Sequence, residues 1–148
     1  MLELMNVNKA YAEGRKVLTG LSYTLEAGEY VAIMGESGVG KSTLLNLIAG
    51  LDTPDSGEIR INGVAISSLD DDAATRLRRE QFGFIFQAFH VLPHLTVSQN
   101  IALPLLLNGA PTERVTQMLA DVGLHDRGHH FPRQLSGGEL QRVAIARA

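Results

Sequence analysis

One stretch of the sequence, Gly35 to Ser42, has the residue types and spacing that bind phosphate. It reads GESGVGKS and matches the pattern G-x-x-x-x-G-K-[ST]. Glycines let consecutive backbone N–H groups turn towards phosphate oxygens, and a following helix favours the same anion. Lys41 would reach the β- and γ-phosphates, Ser42 would ligate Mg²⁺, and Thr43 would add a phosphate contact. The predicted phosphate-binding residues are therefore Gly35, Glu36, Ser37, Gly38, Val39, Gly40, Lys41, Ser42 and Thr43.

The segments around this stretch have the order that such a loop requires. YVAIM at 30–34 is a continuous apolar run, which predicts a strand buried on both faces of a parallel sheet. LLNLIAG at 44–50 predicts a short buried helix that Gly50 ends. FGFIF at 82–86 is a second candidate for a buried strand. We therefore expect an α/β fold.

The other segments predict a small antiparallel layer and several helices. Apolar residues alternate at 2–4 and 21–25, and the Asn62-Gly63 pair predicts a hairpin. The segment 67–80 predicts a helix with a serine cap, three acids at its start and a solvated face of arginines near its end. Residues 88–108 indicate short helices separated by Pro93 and Pro104, and residues 111–122 a helix that starts at Pro111 and stops at Gly123.

The composition excludes several classes of protein. The 148 residues include 13 Lys and Arg against 16 Asp and Glu, a net charge of −3, which argues against a nucleic-acid partner. The absence of cysteine excludes disulfides and fits the cytosol. The most apolar run, 101–107, is far shorter than the roughly 20 residues of a spanning helix. The five histidines lack a spacing typical of metal ligands.

A second motif, LSGGELQRVAIARA at 135–148, follows the helical region. Ser136 and Glu139 are spaced as a capping box at the start of a helix with an apolar face. Gly137 and Gly138 would weaken that helix, which suggests that a ligand approaches the backbone there. A phosphate is the obvious candidate.

With both motifs, the sequence resembles the nucleotide-binding subunit of ATP-binding-cassette (ABC) transporters over essentially its whole length. The resemblance implies a P-loop NTPase fold of ABC type, with an antiparallel β layer and a helical subdomain, that is incomplete at the C-terminus. It divides the chain into an ATP-binding core with the β layer at 1–87, a mainly helical subdomain at 88–135 and a signature helix at 136–148. ATP and Mg²⁺ are the implied cofactors.

The resemblance also assigns roles to residues outside the phosphate loop. It implies that Tyr11 stacks on adenine and that Val17 pads the base, although Tyr11 taken alone is more typical of a packed edge aromatic. Gln87 would contact Mg²⁺ and the attacking water, and Lys41 would act with it in catalysis. The signature residues would contact the ATP of a second subunit, which makes a dimer necessary; they are Ser136, Gly137 and Gly138.

More narrowly, residues 82–107 look like the subgroup that drives lipoprotein release and macrolide export. The implied partners are a second nucleotide-binding subunit and a transmembrane permease, which would place the chain peripherally on the cytoplasmic face of the inner membrane. Phe89, Leu92, Pro93 and Leu95 would then form a docking surface for the permease, or else pack the helical subdomain.

The sequence also departs from the family's pattern. Members of the family have a strand ending in an Asp that holds Mg²⁺ and a Glu that polarises water, and later a His; residues 1–148 contain no counterpart. We therefore expect impaired hydrolysis and marginal stability or aggregation. The leading interpretation is a truncated transporter ATPase. The alternatives are a regulatory nucleotide-binding module without catalysis and, less favoured by the acidic charge, an ABC ATPase of the DNA-repair type.

Overall fold

The helix predicted after the phosphate-binding loop forms, whereas the apolar run before the loop is not a strand. The computed structural model of the chain describes residues 1–11 and 14–148. Its strands are β1 (Leu2–Tyr11), β2 (Arg15–Leu25), β3 (Ser56–Ile61) and β4 (Val64–Ala65), and its helices are α1 (Lys41–Ile48), α2 (Asp71–Gln81), α3 (Val97–Leu107), α4 (Arg114–Asp121) and α5 (Gly137–Arg147). The chain divides into two compact units, Met1–Arg78 and Arg79–Ala148. Within the described ranges, no helix is both long and apolar enough to cross a membrane.

The first unit, Met1–Arg78, contains an antiparallel sheet with the strand order β2-β1-β3-β4. Leu4 and Val7 of β1 pack with Ile59 of β3 against Leu47 of α1. Leu4 and Val7 share a face although they are three positions apart, because the ladder is irregular between them and Asn6 takes a φ of 50°. The predicted antiparallel layer is confirmed.

The hairpin between β3 and β4 also forms as predicted. Ile61 pairs with Val64, which leaves Asn62 and Gly63 as a two-residue turn. Their φ angles are 49° and 81°, as in a type I′ turn.

The second unit, Arg79–Ala148, is built from α3, α4 and α5. Its core contains Val97 and Ile101 of α3, Val115 and Leu119 of α4, and Val143 of α5. The apolar face predicted at 111–122 is therefore buried as expected. The helix itself begins at Arg114, three residues later than the proline suggested.

The prediction of parallel strands at 30–34 and 82–86 is wrong for the described structure. Neither segment forms a strand, and Tyr30 is 95% and Met34 87% exposed. A strand in a sheet takes its backbone hydrogen bonds from its neighbours, and the sheet formed by the described residues comprises β1 to β4 alone. The two apolar runs therefore have no ladder to join.

Two details of the helix predicted at 67–80 also require correction. The cap of α2 is Asp70, whose carboxylate accepts from the Ala73 N–H at 2.8 Å, rather than a serine. Arg78, expected on a solvated face, donates to the Gly50 carbonyl at 2.9 Å.

Pro104, expected to separate two helices, lies inside α3. A proline removes only one helical hydrogen bond, and the Thr96 capping box and buried side chains hold the rest of the helix.

Candidate nucleotide-binding site

The phosphate-binding loop of the first unit runs directly into α1, which begins at Lys41. Gly38 and Gly40 take φ angles of 81° and 110°, which L-residues with side chains rarely adopt. A side chain at position 40 would also collide with Val17. The glycine before Lys41 is therefore required by the path of the backbone and by the close approach of β2.

Lys41 holds its side chain against this loop. Its ammonium group donates hydrogen bonds to the carbonyl oxygens of Gly35, at 2.8 Å, and Glu36, at 2.7 Å. Hydrogen bonds between two charged groups are stronger than those to neutral acceptors. A phosphate oxygen could therefore replace these carbonyls as the partner of the ammonium group.

A cavity of about 400 Å³ opens at the loop. This volume lies in the range of small-molecule sites, about 300–1,000 Å³. Its lining combines a lysine and the hydroxyl-bearing residues of α1 with an aromatic and an aliphatic side chain. The lining residues are Tyr11, Arg15, Val17, Ser37, Gly38, Gly40, Lys41, Ser42 and Thr43.

The structure thus brings most of the predicted site of the first unit around one cavity. Tyr11 of β1 and Val17 of β2 are far from the loop in sequence, yet both line the cavity with it. Gly35, Glu36 and Val39 belong to the loop but are not among the lining residues. Ser42 is exposed at the start of α1, where its hydroxyl could serve as the hard oxygen ligand that Mg²⁺ prefers.

A hydrogen-bonded network beside the cavity was not foreseen from the sequence. The Tyr11 hydroxyl donates to the Asp52 carboxylate at 2.9 Å. Lys9 donates to the same carboxylate at 2.7 Å and to the Thr53 carbonyl at 2.7 Å. The hydrogen bond from Lys9 holds the pKa of Asp52 below its usual value, and the same bond raises the pKa of Lys9. No sequence motif links these residues, which lie 41 and 43 positions apart.

Arg15 also lines the cavity, although the sequence analysis did not predict it. Its guanidinium donates to the Gly38 carbonyl at 3.2 Å, so a second cation lies at the loop. The sequence around Arg15 does not indicate a ligand site, because a single arginine at the start of a strand is common on protein surfaces.

The signature residues lie at the start of α5 in the second unit. Ser136 accepts from the Glu139 N–H at 3.3 Å, and the Glu139 carboxylate accepts from the Ser136 N–H at 2.8 Å, which confirms the predicted capping box. The Ser136 hydroxyl also donates to the Glu139 carboxylate, at 2.8 Å. The hydrogen bonds from the Ser136 N–H and hydroxyl, with a further one from Arg127, lower the pKa of Glu139 to about 2. A side chain at Gly137 would meet no atom within 4 Å. No contact among residues 1–11 and 14–148 therefore requires glycine at position 137.

The remaining predicted site residues lie in the segment before α3. Gln87 is exposed in a turn. In the docking surface proposed from the sequence, Leu92 and Pro93 are exposed, whereas Phe89 and Leu95 are half-buried.

The segment before α3 is anchored by Asn100, a fully buried residue that the sequence analysis did not single out. Its side-chain amide accepts from the Leu92 N–H and donates to the carbonyls of Leu92, Leu95 and Thr96.

Known proteins share both the sequence and the fold of this chain. The model of the ABC transporter family matches residues 18–148. The whole chain is 48% identical to the macrolide export ATP-binding/permease protein MacB of Shigella flexneri, and 47% identical to MacB of Burkholderia thailandensis. It spans 24% of the length of these relatives.

Solved structures give the same result. The post-hydrolysis state of the ATP-binding cassette MJ0796, bound to ADP and Pi, superposes with a TM-score of 0.89 at 42% identity. This match covers 99% of the present chain and 68% of that chain. Another dimeric structure of MJ0796, a bacterial ABC transporter cassette, gives a TM-score of 0.87. The expected fold class, a P-loop NTPase of ABC type, is thereby confirmed, and the chain belongs to the ABC transporter family.

Proposed function

We propose that the chain binds MgATP in the cavity at the phosphate-binding loop. The observation that carries the proposal is the convergence on one cavity of Lys41, the α1 hydroxyls, Tyr11 and Val17. The loop N–H groups and Lys41 would hold the phosphates, Ser42 would ligate Mg²⁺, and Tyr11 would stack on the adenine against Val17. This arrangement matches a nucleotide, which is anionic at one end and aromatic at the other.

The test is the affinity for a fluorescent ATP analogue with Mg²⁺. Lys41→Ala should weaken binding at least about tenfold, since a hydrogen bond to a charged group contributes about 1.5–3 kcal/mol. Lys16→Ala is the matched control, because Lys16 is an exposed lysine of β2 that is not among the lining residues. Equal affinity in the Lys41 variant and the wild type would refute the assignment of the site.

We further propose that the signature residues act on a second copy. Ser136, Gly137 and Gly138 are all exposed, and the open space around Gly137 leaves room for a phosphate to approach the backbone. The dimeric MJ0796 cassette supports a two-subunit assembly of this kind. In that assembly, each chain would supply its loop to one ATP and its signature helix to the other.

In a complete transporter, we propose that this cassette couples ATP hydrolysis to export or lipoprotein release through a membrane permease. The relative MacB is a macrolide export ATP-binding/permease protein, so it joins ATP-binding and permease parts in one chain. Gln87 would contact Mg²⁺ and the attacking water, and the cassette would lie on the cytoplasmic face of the inner membrane; both proposals rest on the resemblance. The transported substrate would be selected by the permease.

A regulatory module that binds ATP without hydrolysing it is the second candidate. Mixing the chain with a full-length transporter ATPase distinguishes the two functions. A regulator would change the ATPase rate of the full-length protein, whereas an inert mixture with intact MgATP binding would favour the transporter cassette.

A further inference from the structure

The carboxylate of Asp52 connects the aromatic side of the cavity with the helix that follows the phosphate loop. Asp52 lies in the turn after α1, whose first residue is Lys41. It accepts a hydrogen bond from the Tyr11 hydroxyl at 2.9 Å and one from Lys9 at 2.7 Å. The segment 41–52, which contains α1, thus begins at the phosphate loop and ends at the residue that accepts the hydrogen bond of the predicted base-stacking tyrosine.

Lys9 fixes this carboxylate in place. Its side chain is 10% exposed, compared with 27% for the Asp52 side chain. Its ammonium group donates to Asp52 and to the Thr53 carbonyl and lies 5.2 Å from the centre of the Tyr11 ring. A largely buried cation is costly unless it is paired, so Lys9 and Asp52 hold each other, and together they hold the turn after α1 against β1.

The hydrogen bond to Asp52 fixes one end of the Tyr11 ring, the Lys9 ammonium group lies over the ring, and about half of the residue stays exposed. Tyr11 is 47% exposed, and its ring lines the cavity. A tyrosine tethered through its hydroxyl can rotate less than a free one, so less rotational entropy is lost when a flat ligand stacks on it. The tether does not require a ligand to form.

We propose that Asp52, held by Lys9, is a positioning residue that orients Tyr11 for stacking on the nucleobase. The inference rests on the proposed function, because it takes the ligand of the cavity to be a nucleotide. Neither Asp52 nor Lys9 lines the cavity itself, so their effect on the ligand passes through Tyr11. Stacking on an aromatic ring does not depend on base identity. Asp52 should therefore affect the affinity for any nucleotide, but not the affinity for a phosphate chain that lacks a base.

The test compares two ligands that share the phosphates and differ in the base. Dissociation constants are measured for MgATP and for magnesium tripolyphosphate with the full chain. Tyr11→Phe keeps the ring and removes the tether, and Asp52→Asn removes the charged acceptor. Each should weaken MgATP binding about two- to tenfold, the range expected for one hydrogen bond, and leave tripolyphosphate binding unchanged. Combining the two substitutions should add little, because both break the same bond.

A matched control variant and the comparison of the two ligands make the outcome decisive. Tyr23→Phe removes the hydroxyl of a tyrosine of β2 that is 45% exposed, close to the 47% of Tyr11, and does not line the cavity. If the Tyr11 and Asp52 variants bind MgATP as tightly as the Tyr23 variant, the positioning role is refuted. Equal loss for both ligands would also refute it, since that result means a disturbed loop. Failure of the wild type to bind either ligand would instead refute the proposed function.

Discussion

At Gly137, helix stability and the proposed ligand favour different residues: the helix favours alanine, and the approach of a phosphate favours glycine. Alanine is more favourable than glycine in a helix, by about 1 kcal/mol at most. Gly137 is the first residue of α5, and a Cβ there would meet no atom of the described residues within 4 Å. Gly137→Ala should therefore keep or raise the melting temperature. It should also weaken MgATP-dependent dimerisation, because the added methyl group would occupy space proposed for the partner's γ-phosphate. Sedimentation with and without MgATP measures the dimerisation.

Gln141→Ala is the matched control for this change, since it alters the same helix away from its first turn. It should leave dimerisation as in the wild type. A Gly137→Ala variant that dimerises normally would contradict the proposed role of the signature residues.

Single residues also show what the sequence could and could not reveal. The phosphate loop was predictable, because glycine, lysine and serine at fixed spacing have a direct chemical meaning. Asp52 was not, because it acts through hydrogen bonds to residues that only the fold brings near it. Asn100 was missed for the same reason: its four bonds are to backbone groups, which carry no sequence signal.

At the scale of elements, the start of α5 depends on the ionised Glu139 carboxylate. The pKa of Glu139 is lowered from 4.5 to about 2, chiefly by the hydrogen bond from the Ser136 N–H. A carboxylate with a lowered pKa stabilises the folded state above its unfolded pKa, and this contribution is lost as the pH falls through the folded value. The melting temperature of the wild type should therefore exceed that of Glu139→Gln at pH 6 and approach it between pH 4.5 and pH 2.

Glu113→Gln is the control, since Glu113 is an exposed carboxylate just before α4 with no side-chain capping bond. Its melting temperature should follow that of the wild type at each pH. A constant difference between wild type and Glu139→Gln from pH 6 to pH 2 would contradict the role of the carboxylate.

Elements defined by local signals were predicted well, and those that depend on distant partners were not. The Asn62-Gly63 turn and the capping box at Ser136 need only neighbouring residues, and both form. The apolar runs at 30–34 and 82–86 need adjacent strands, and in the described structure neither run is paired. In the second run the rings of Phe82 and Phe84 stack at 5.7 Å, which preserves the side-chain alternation of a strand without its ladder.

At the scale of the whole molecule, we expect the exposed apolar run at 30–34 to cause association between chains. Tyr30 and Met34 are 95% and 87% exposed, and Val31 and Ile33 are also exposed. An unpaired apolar run with high β propensity favours pairing between chains. We therefore predict that the wild type associates with rising concentration, and that the double variant Tyr30→Ser and Met34→Ser associates less. Static light scattering over a concentration series measures the effect.

The melting temperature of this double variant should stay close to that of the wild type, because exposed side chains contribute little, within about 0.5 kcal/mol. Leu51→Ser is the matched control: Leu51 is 57% exposed but lies outside the run, so its replacement should leave association unchanged. If the wild type remains a monomer over the whole series and melts cooperatively, the run at 30–34 is not an association site. In that case the first unit is stable with these side chains in water, and the expectation of marginal stability is wrong as well.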